Sequence, residues 1–203
     1  FHYIVLDNNF IKTDQGYIHY ENKNYVKFPR NQIAYVAPPQ LEWLKNDLRN
    51  TNKPTIIFLH QPLNSLGDGK EVSEILKVEN RKGKKVIAVF SGHNHMNRCI
   101  TEEDIHHVHI NSASYHYVGP SKPKYQGRYP EQLEKEYPIL SSIAPYDDAL
   151  FAIVDLDHST RSINITGRKA NFVAPSPYEL GYDTNPENQM NPSSNIDSRF
   201  LKF

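Results

Sequence analysis

The part of the sequence that most strongly suggests chemistry is residues 90–97, FSGHNHMN, where His93 and His95 stand one residue apart. These residues follow directly on an apolar run, and His60 follows another apolar run in the same way. Imidazole nitrogen binds borderline divalent metals well, and carboxylate or amide oxygens usually complete such sites. His60, His93 and His95 are therefore candidate metal ligands.

The two apolar runs, 55–59 and 86–90, predict strands that are covered on both faces. Helical spacing of leucines after Pro38-Pro39 and of Val72, Ile75 and Leu76 predicts helices before each of them. The order helix, strand, helix, strand favours an α/β layout with these two strands parallel. Because ligands in such sheets bind outside the carboxyl ends of the strands, the three histidines are expected on one rim.

The local pattern around the paired histidines adds to this expectation. Gly92 permits a turn that a side chain would obstruct, and an extended backbone sends residues i and i+2 to the same side. We therefore expect the rings of His93 and His95 to point the same way. This arrangement suits two ligands of one metal or of two adjacent metals.

The remaining segments predict a sheet-rich protein. Strand 3–6 ends at a turn over residues 7–9, and strands 17–20 and 25–28 form a predicted hairpin. After residue 100 the predicted elements are strands 105–110 and 114–118, an irregular stretch 119–146, and a hairpin of strands 150–154 and 162–166. We expect one domain over residues 1–170 and a C-terminal extension, 171–203, that is extended or poorly ordered because Pro, Asn, Ser and Asp dominate it.

Composition excludes several classes of partner. The 203 residues include 23 Lys and Arg and 23 Asp and Glu, so no excess of charge favours nucleic acid or an anionic membrane. The apolar runs are far shorter than the about 20 residues of a spanning helix. Cys99 is the only cysteine, which excludes an internal disulfide and leaves the compartment open.

Two segments, FLHQPL at 58–63 and VFSGHNHMN at 89–97, carry a resemblance to a known family. Through them the chain resembles the C-terminal half of the calcineurin-like metallophosphoesterase family. IVLDNN at 4–9, QLEWLKNDL at 40–48 and INSAS at 110–114 are similar to segments of that family. The resemblance extends over roughly the first half of the chain.

The resemblance implies a fold, a site and a reaction. The fold would be the C-terminal portion of a four-layer α/β/β/α sandwich with mixed sheets. The site would hold two divalent metal ions, Mn, Fe or Zn, with His60 and His93 on one and His95 on the other. Metal-activated water would hydrolyse a phosphomonoester or phosphodiester, either a small molecule or a phosphorylated substrate.

The family's upstream motifs, Asp-x-His, Gly-Asp-x-x-Asp and Gly-Asn-His, do not occur in their places. Gly67-Asp68 lies after His60, in the wrong order, and Asp104-Ile105-His106 follows no strand. The strand-like residues at the start suggest that an N-terminal half is missing, so we expect the chain alone to be inactive and to need that half as a partner. The alternative is a catalytically incompetent remnant, a structural or binding module of the same fold. A metallo-β-lactamase-like hydrolase fits poorly, because His93-Asn94-His95 lacks that family's following Asp-His.

Three further residues are candidates for substrate binding. Asn97 could hydrogen-bond a phosphate oxygen or stabilise its own turn, and the two alternatives stand equal. Tyr115 and His116 could approach a substrate from the loop after the strand 105–110, or could pack as part of an aromatic run. The histidines at 106, 107 and 109 are expected to be surface or hydrogen-bonded strand residues.

Overall fold

The computed structural model describes residues 1–21, 32–83, 85–119, 125–182 and 192–203. The chain has the mixed α/β architecture that the sequence predicts, with a mixed parallel and antiparallel sheet. It divides into two units: the first comprises residues 1–93, 99–108 and 203, and the second 94–98 and 109–202. In the described part of the chain, no helix has the length and apolar character needed to span a membrane.

The first unit contains a five-stranded sheet, a small antiparallel sheet and two helices. Its elements are β1 (His2–Val5), β2 (Phe10–Thr13), β3 (Gly16–His19), β4 (Ala34–Tyr35), α1 (Pro38–Arg49), β5 (Thr55–Phe58), α2 (Gly69–Gly83), β6 (Val86–Ser91), β7 (Arg98–Glu102) and β8 (Ile105–His109). The strand order of the larger sheet is β1-β5-β6-β8-β7. Strands β1, β5 and β6 run parallel, which confirms the predicted parallel pair and adds β1 to it.

Hydrophobic side chains hold both helices to one face of this sheet. Ile4, Ile57 and Val89 stand side by side across the three parallel strands. They are buried in one cluster with the apolar residues of both helices, namely Leu41, Leu44 and Leu48 of α1 and Val72, Ile75 and Leu76 of α2. The helical spacing in the sequence therefore identified the buried stripes correctly.

Helix α1 begins without a capping side chain of its own. Its N-cap residue is Ala37, with a positive φ of 74°, followed by two prolines. The carboxylate of Asp68 accepts hydrogen bonds from the backbone N–H groups of Val36, at 3.0 and 3.1 Å, and Ala37, at 3.1 Å. This negative charge lies at the positive end of the helix dipole. Asp68, the residue before α2, thus holds the two residues that lead into α1.

Of the predicted hairpin of strands 17–20 and 25–28, the first strand is present. Strand β3 is present, but its partner is β2, joined through the turn after Thr13. Strand β2 was not predicted from the sequence. The expected partner strand, 25–28, lies outside the described residues.

The second unit consists largely of short antiparallel strands. They are β9 (Tyr115–Tyr117), β10 (Ile143–Pro145), β11 (Ala152–Asp157), β12 (Ser162–Gly167) and β13 (Arg199–Lys202), with a short helix, α3 (Glu131–Glu136). β9 pairs with β10, and β11, β12 and β13 form a three-stranded sheet. The predicted late hairpin is confirmed as β11 and β12.

Two segments predicted as irregular contain regular structure. Within the stretch 119–146, the residues from 125 onward include α3 and β10. Within the predicted extension 171–203, β13 pairs with β12, and residues 171–202 belong to the second unit together with 109–170. Local composition could not indicate these strands because their partners are far away in the sequence.

We predict that Asp68→Ala lowers the free energy of unfolding by about 1–2 kcal/mol, because two backbone N–H groups at the start of α1 lose their acceptor. Urea denaturation of both proteins measures the difference. Asp155→Ala, in the exposed part of β11, is the control and should change stability by less than about 0.5 kcal/mol. Equal effects of the two substitutions would contradict the role of Asp68 at the start of α1.

Candidate metal centre

The two histidines that follow β5 and β6 are neighbours in the structure. Hydrogen bonding between the strands continues beyond their ends, since the Gly92 N–H donates to the His60 carbonyl at 2.9 Å. This bond places His93 beside His60. The Nδ1 atom of His93 lies 3.2 Å from the Nε2 atom of His60, and both residues are exposed. The sequence-based expectation of neighbouring histidines at the strand ends therefore holds for this pair.

The spacing of the two nitrogens fits shared coordination of one metal ion. Two nitrogens bound to one zinc at about 2.0–2.1 Å lie roughly 3.0–3.4 Å apart, depending on the angle between the bonds. The observed 3.2 Å falls in that range. The two ring planes are inclined at 80° to one another. A divalent ion could therefore replace the proton that the two rings share.

The backbone of this segment differs from the extended pair that the sequence predicted. His93 has φ of 66° and His95 has φ of 51°, so both lie in the left-handed region. The expectation of an extended i, i+2 pair is wrong, and the turn falls on the two histidines instead of on Gly92. Left-handed backbone costs a residue with a Cβ of the order of 1 kcal/mol. Such conformations concentrate at functional sites, where the surrounding structure enforces them.

The two imidazoles are not by themselves a complete ligand set. Within the described ranges, no group of three or more His, Cys, Asp or Glu side chains is placed to hold a metal ion. Side-chain amides are a further class of oxygen ligand. One of them, Asn8, follows β1 at the same end of the sheet.

Asn8 is almost completely buried, with 1% of its surface exposed. Its Nδ2 donates to the carbonyl of Gln61 at 3.0 Å. Its Oδ1 is also buried and has no hydrogen-bond partner among the residues that the structure describes. A buried acceptor in this state costs about 1–3 kcal/mol. Sequence reasoning treated residues 7–9 as a turn, although the rule that placed the histidines at strand ends applies equally to Asn8.

His95 belongs to the second unit, where it contacts Tyr115 and His116. The rings of His95 and Tyr115 meet edge to face, with centroids 5.0 Å apart. The ring of His116 hydrogen-bonds to the backbone of His95 and is 5% exposed. His116 therefore supports the backbone of His95 and presents little surface to a substrate. Tyr115 is half-buried.

The environment of His116 favours its neutral form. Burial lowers its pKa to about 4, and the nearby His95 contributes to the lowering, while the hydrogen bond to the His95 backbone opposes it. The Nδ1 atom is buried and has no hydrogen-bond partner in the described part of the chain. The ring is thus a neutral, largely desolvated group beside a candidate ligand.

Asn97 has a structural role in the second unit. Its Oδ1 accepts hydrogen bonds from the backbone N–H of Asp197 at 3.0 Å and from the Arg199 guanidinium at 3.3 Å. These bonds attach the segment after His95 to the residues that lead into β13. The contacts are with residues distant in sequence, so they show neither stabilisation of its own turn nor phosphate binding, the two roles expected for Asn97.

The histidines of β8 behave as strand residues. His106 is buried and its Nδ1 lies 2.8 Å from the hydroxyl of Thr101. His109 is also buried, and burial lowers the pKa of the half-buried His107. The hydrogen-bonded character predicted for these histidines is confirmed for His106.

Comparison of the chain with family models, with curated proteins and with solved structures finds no match.

We predict that acid destabilises the protein through His116. Its pKa is about 4 in the folded state and 6.5 as an ordinary value, so between these pH values the unfolded chain carries a proton that the folded chain lacks. The free energy of unfolding should therefore fall as the pH drops from about 6.5 to about 4, by up to about 3 kcal/mol from this residue. Urea denaturation over that pH range measures the fall.

His116→Gln should remove most of this contribution and make the pH dependence shallower. His158→Gln, at an exposed position in the turn between β11 and β12, is the matched control and should leave the slope unchanged. A slope that is the same in all three proteins would show that His116 is not the group responsible.

Proposed function

We propose that this chain is part of a metal-dependent phosphoesterase of the calcineurin-like kind. Its fold would be the C-terminal portion of a four-layer α/β/β/α sandwich. The substrate would be a phosphomonoester or phosphodiester. The mixed α/β architecture with parallel central strands is compatible with this proposal.

The observation that carries the proposal is the contact between His60 and His93. Their side-chain nitrogens lie 3.2 Å apart, at the carboxyl ends of adjacent parallel strands, where ligands of α/β sheets bind. Both rings are exposed, so a metal ion and a substrate have access to them. A hydrogen bond between the rings has the same spacing, so the support for a metal site comes from the place of the pair at the strand ends and from its exposure.

The proposal assigns a role to each candidate site residue. His60 and His93 would hold one divalent ion, Mn, Fe or Zn, through neutral imidazole nitrogens, and His95 would bind a second. Bound divalent metal supplies Lewis acidity toward phosphoryl oxygens and activates water. Tyr115 and His116 would position His95 through the contacts in the second unit. Asn97 would hold the following segment.

A partner polypeptide would supply the remaining anionic ligands. The surface of β1 is compatible with such a partner, because β1 stands at one end of the described strand order. Tyr3 and Val5 on this strand are 56% and 72% exposed, and Phe58 of β5 is exposed beside them. Apolar side chains on an edge strand favour contact with another polypeptide.

We predict that His93→Ala and His95→Ala remove bound metal and reduce hydrolysis of an aryl phosphate ester at least about 100-fold. The protein to be tested is the chain purified together with the polypeptide that carries the upstream ligands. Elemental analysis measures the metal, and release of the aryl alcohol measures hydrolysis. His107→Ala, in β8, is the control and should leave both unchanged.

A further variant separates loss of a ligand from a change in folding. His93→Asn removes the imidazole but keeps a residue that tolerates left-handed backbone, so it should lose metal while retaining the thermal stability of the metal-free protein. If the variants at 93, 95 and 107 lost activity equally, the histidines would act through folding. A complex that contains no more than trace Mn, Fe or Zn would contradict the enzyme and favour a structural or binding module.

A further inference from the structure

The side chain of Asn8 is fixed in one orientation by its surroundings. The Gln61 carbonyl can only accept a hydrogen bond, so the amide nitrogen of Asn8 must face it, as the 3.0 Å contact shows. The amide oxygen is consequently directed elsewhere. It is buried, and the described residues offer it no hydrogen-bond donor. Buried polar atoms without partners are few in native proteins and call for an explanation.

Hydrogen bonds hold the loop on both sides of Asn8. The side-chain amide of Gln40 contacts the backbone of Asp7 in both directions: its oxygen accepts from the N–H at 2.8 Å, and its nitrogen donates to the carbonyl at 2.7 Å. The Asp7 carboxylate accepts from the N–H of Asn9 at 3.0 Å. Both neighbours of Asn8 are therefore held by hydrogen bonds, which favour the observed orientation of its side chain.

The position of Asn8 relates it to the histidine pair. Strand β1 lies beside β5 and parallel to it, and the pairing continues through the bond from the Leu6 N–H to the Phe58 carbonyl at 2.8 Å. Asn8 follows two residues later. The carbonyl that its amide contacts belongs to the residue directly after His60. An amide oxygen without a partner and the two imidazoles thus share the carboxyl ends of three adjacent parallel strands.

The chemistry of this group of atoms suits a divalent cation. A four-coordinate ion that is bound by two imidazoles needs at least one further protein ligand. An amide oxygen is a neutral oxygen ligand, and bound cations take such oxygens alongside nitrogen. A cation would also supply the missing partner of the buried oxygen. Water or a substrate hydroxyl would satisfy the oxygen as well, but neither would make use of the two nitrogens at the ends of β5 and β6.

We propose that the Oδ1 atom of Asn8 is an oxygen ligand of the metal ion that His60 and His93 hold. This assignment rests on the proposed metal site and names a ligand for it within the chain itself. Asn8 thereby binds the cation at β1, the histidines bind it at β5 and β6, and the parallel sheet brings the three together.

Zinc binding by the chain alone tests the proposal. The affinity is measured by competition with a fluorescent chelator, and the shift of the melting temperature on adding zinc gives a second readout. Asn8→Ala and the nearly isosteric Asn8→Leu should each weaken zinc binding at least about tenfold and reduce the zinc-induced shift. Their melting temperatures without zinc should stay close to that of the unaltered chain, because the loss of the hydrogen bond to the Gln61 carbonyl is offset by removal of the unpartnered buried oxygen. If one variant fails to fold, the other retains the test.

Two controls distinguish this assignment from the metal site itself. Asn64→Ala changes an exposed asparagine in the turn after β5 and should not affect zinc affinity, whereas His93→Asn should abolish the specific binding. If His93→Asn lost zinc while both Asn8 variants bound it normally, Asn8 would not be a ligand and the histidine site would stand. Equal weakening by Asn64→Ala would also overturn the role of Asn8. If the unaltered chain took up no zinc at about 1 mM, the assignment of Asn8 would fail, because the three residues would not form a site by themselves, and the metal content of the complex would still decide the proposed function. If His93→Asn bound zinc normally, the metal site and the assignment would both fail.

Discussion

The parallel pairing of β1, β5 and β6 is the constraint on which the proposed site depends. It aligns Ile4, Ile57 and Val89 in one buried row and so attaches both helices to one face. The same pairing brings three strand ends to a common edge. The hydrogen bond from the Gly92 N–H to the His60 carbonyl extends it beyond the strands. The geometry of the histidine pair is therefore a consequence of the hydrophobic core as much as of the loops.

The polar features at this edge are costly ones that the surrounding structure maintains. His93 is held in left-handed backbone, and Asn8 keeps a buried oxygen without a partner among the described residues. Neither feature improves stability, and a sequence selected for stability alone would place other residues at both positions. Their occurrence at one edge of the same sheet favours a ligand that compensates for both. The firm attachment of residues 7 and 9 around Asn8 agrees with a site whose geometry is set before the ligand binds.

The second unit is organised by polar contacts over long sequence distances. The buried amide of Asn111 donates to the carbonyls of Ser193 and Asn195, at 2.8 and 3.2 Å, and the Tyr146 hydroxyl donates to the carbonyl of Ser193 at 2.9 Å. Burial raises the pKa of Tyr146 above its usual range, so this hydroxyl keeps its proton. Together with the hydrogen bonds that Asn97 accepts from Asp197 and Arg199, these contacts position the residues from 192 onward before they enter the sheet as β13.

The sequence by itself determined the elements whose signals are local. The spacing of the leucines predicted α1, and the short apolar runs predicted β5 and β6. The histidines after those runs predicted that His60 and His93 lie together at the strand ends. The spacing of hydrophobic residues and the residue types that favour turns involve only a few neighbouring positions, so both can be recognised in the sequence. Only the tertiary structure decided that Asp68 holds the residues leading into α1, that β13 joins the sheet of β11 and β12, and that Asn8 faces the carbonyl of Gln61. These features depend on hydrogen-bond partners that are distant in the sequence. Because the backbone carbonyl is the same in every residue, the sequence does not show which carbonyl becomes a partner.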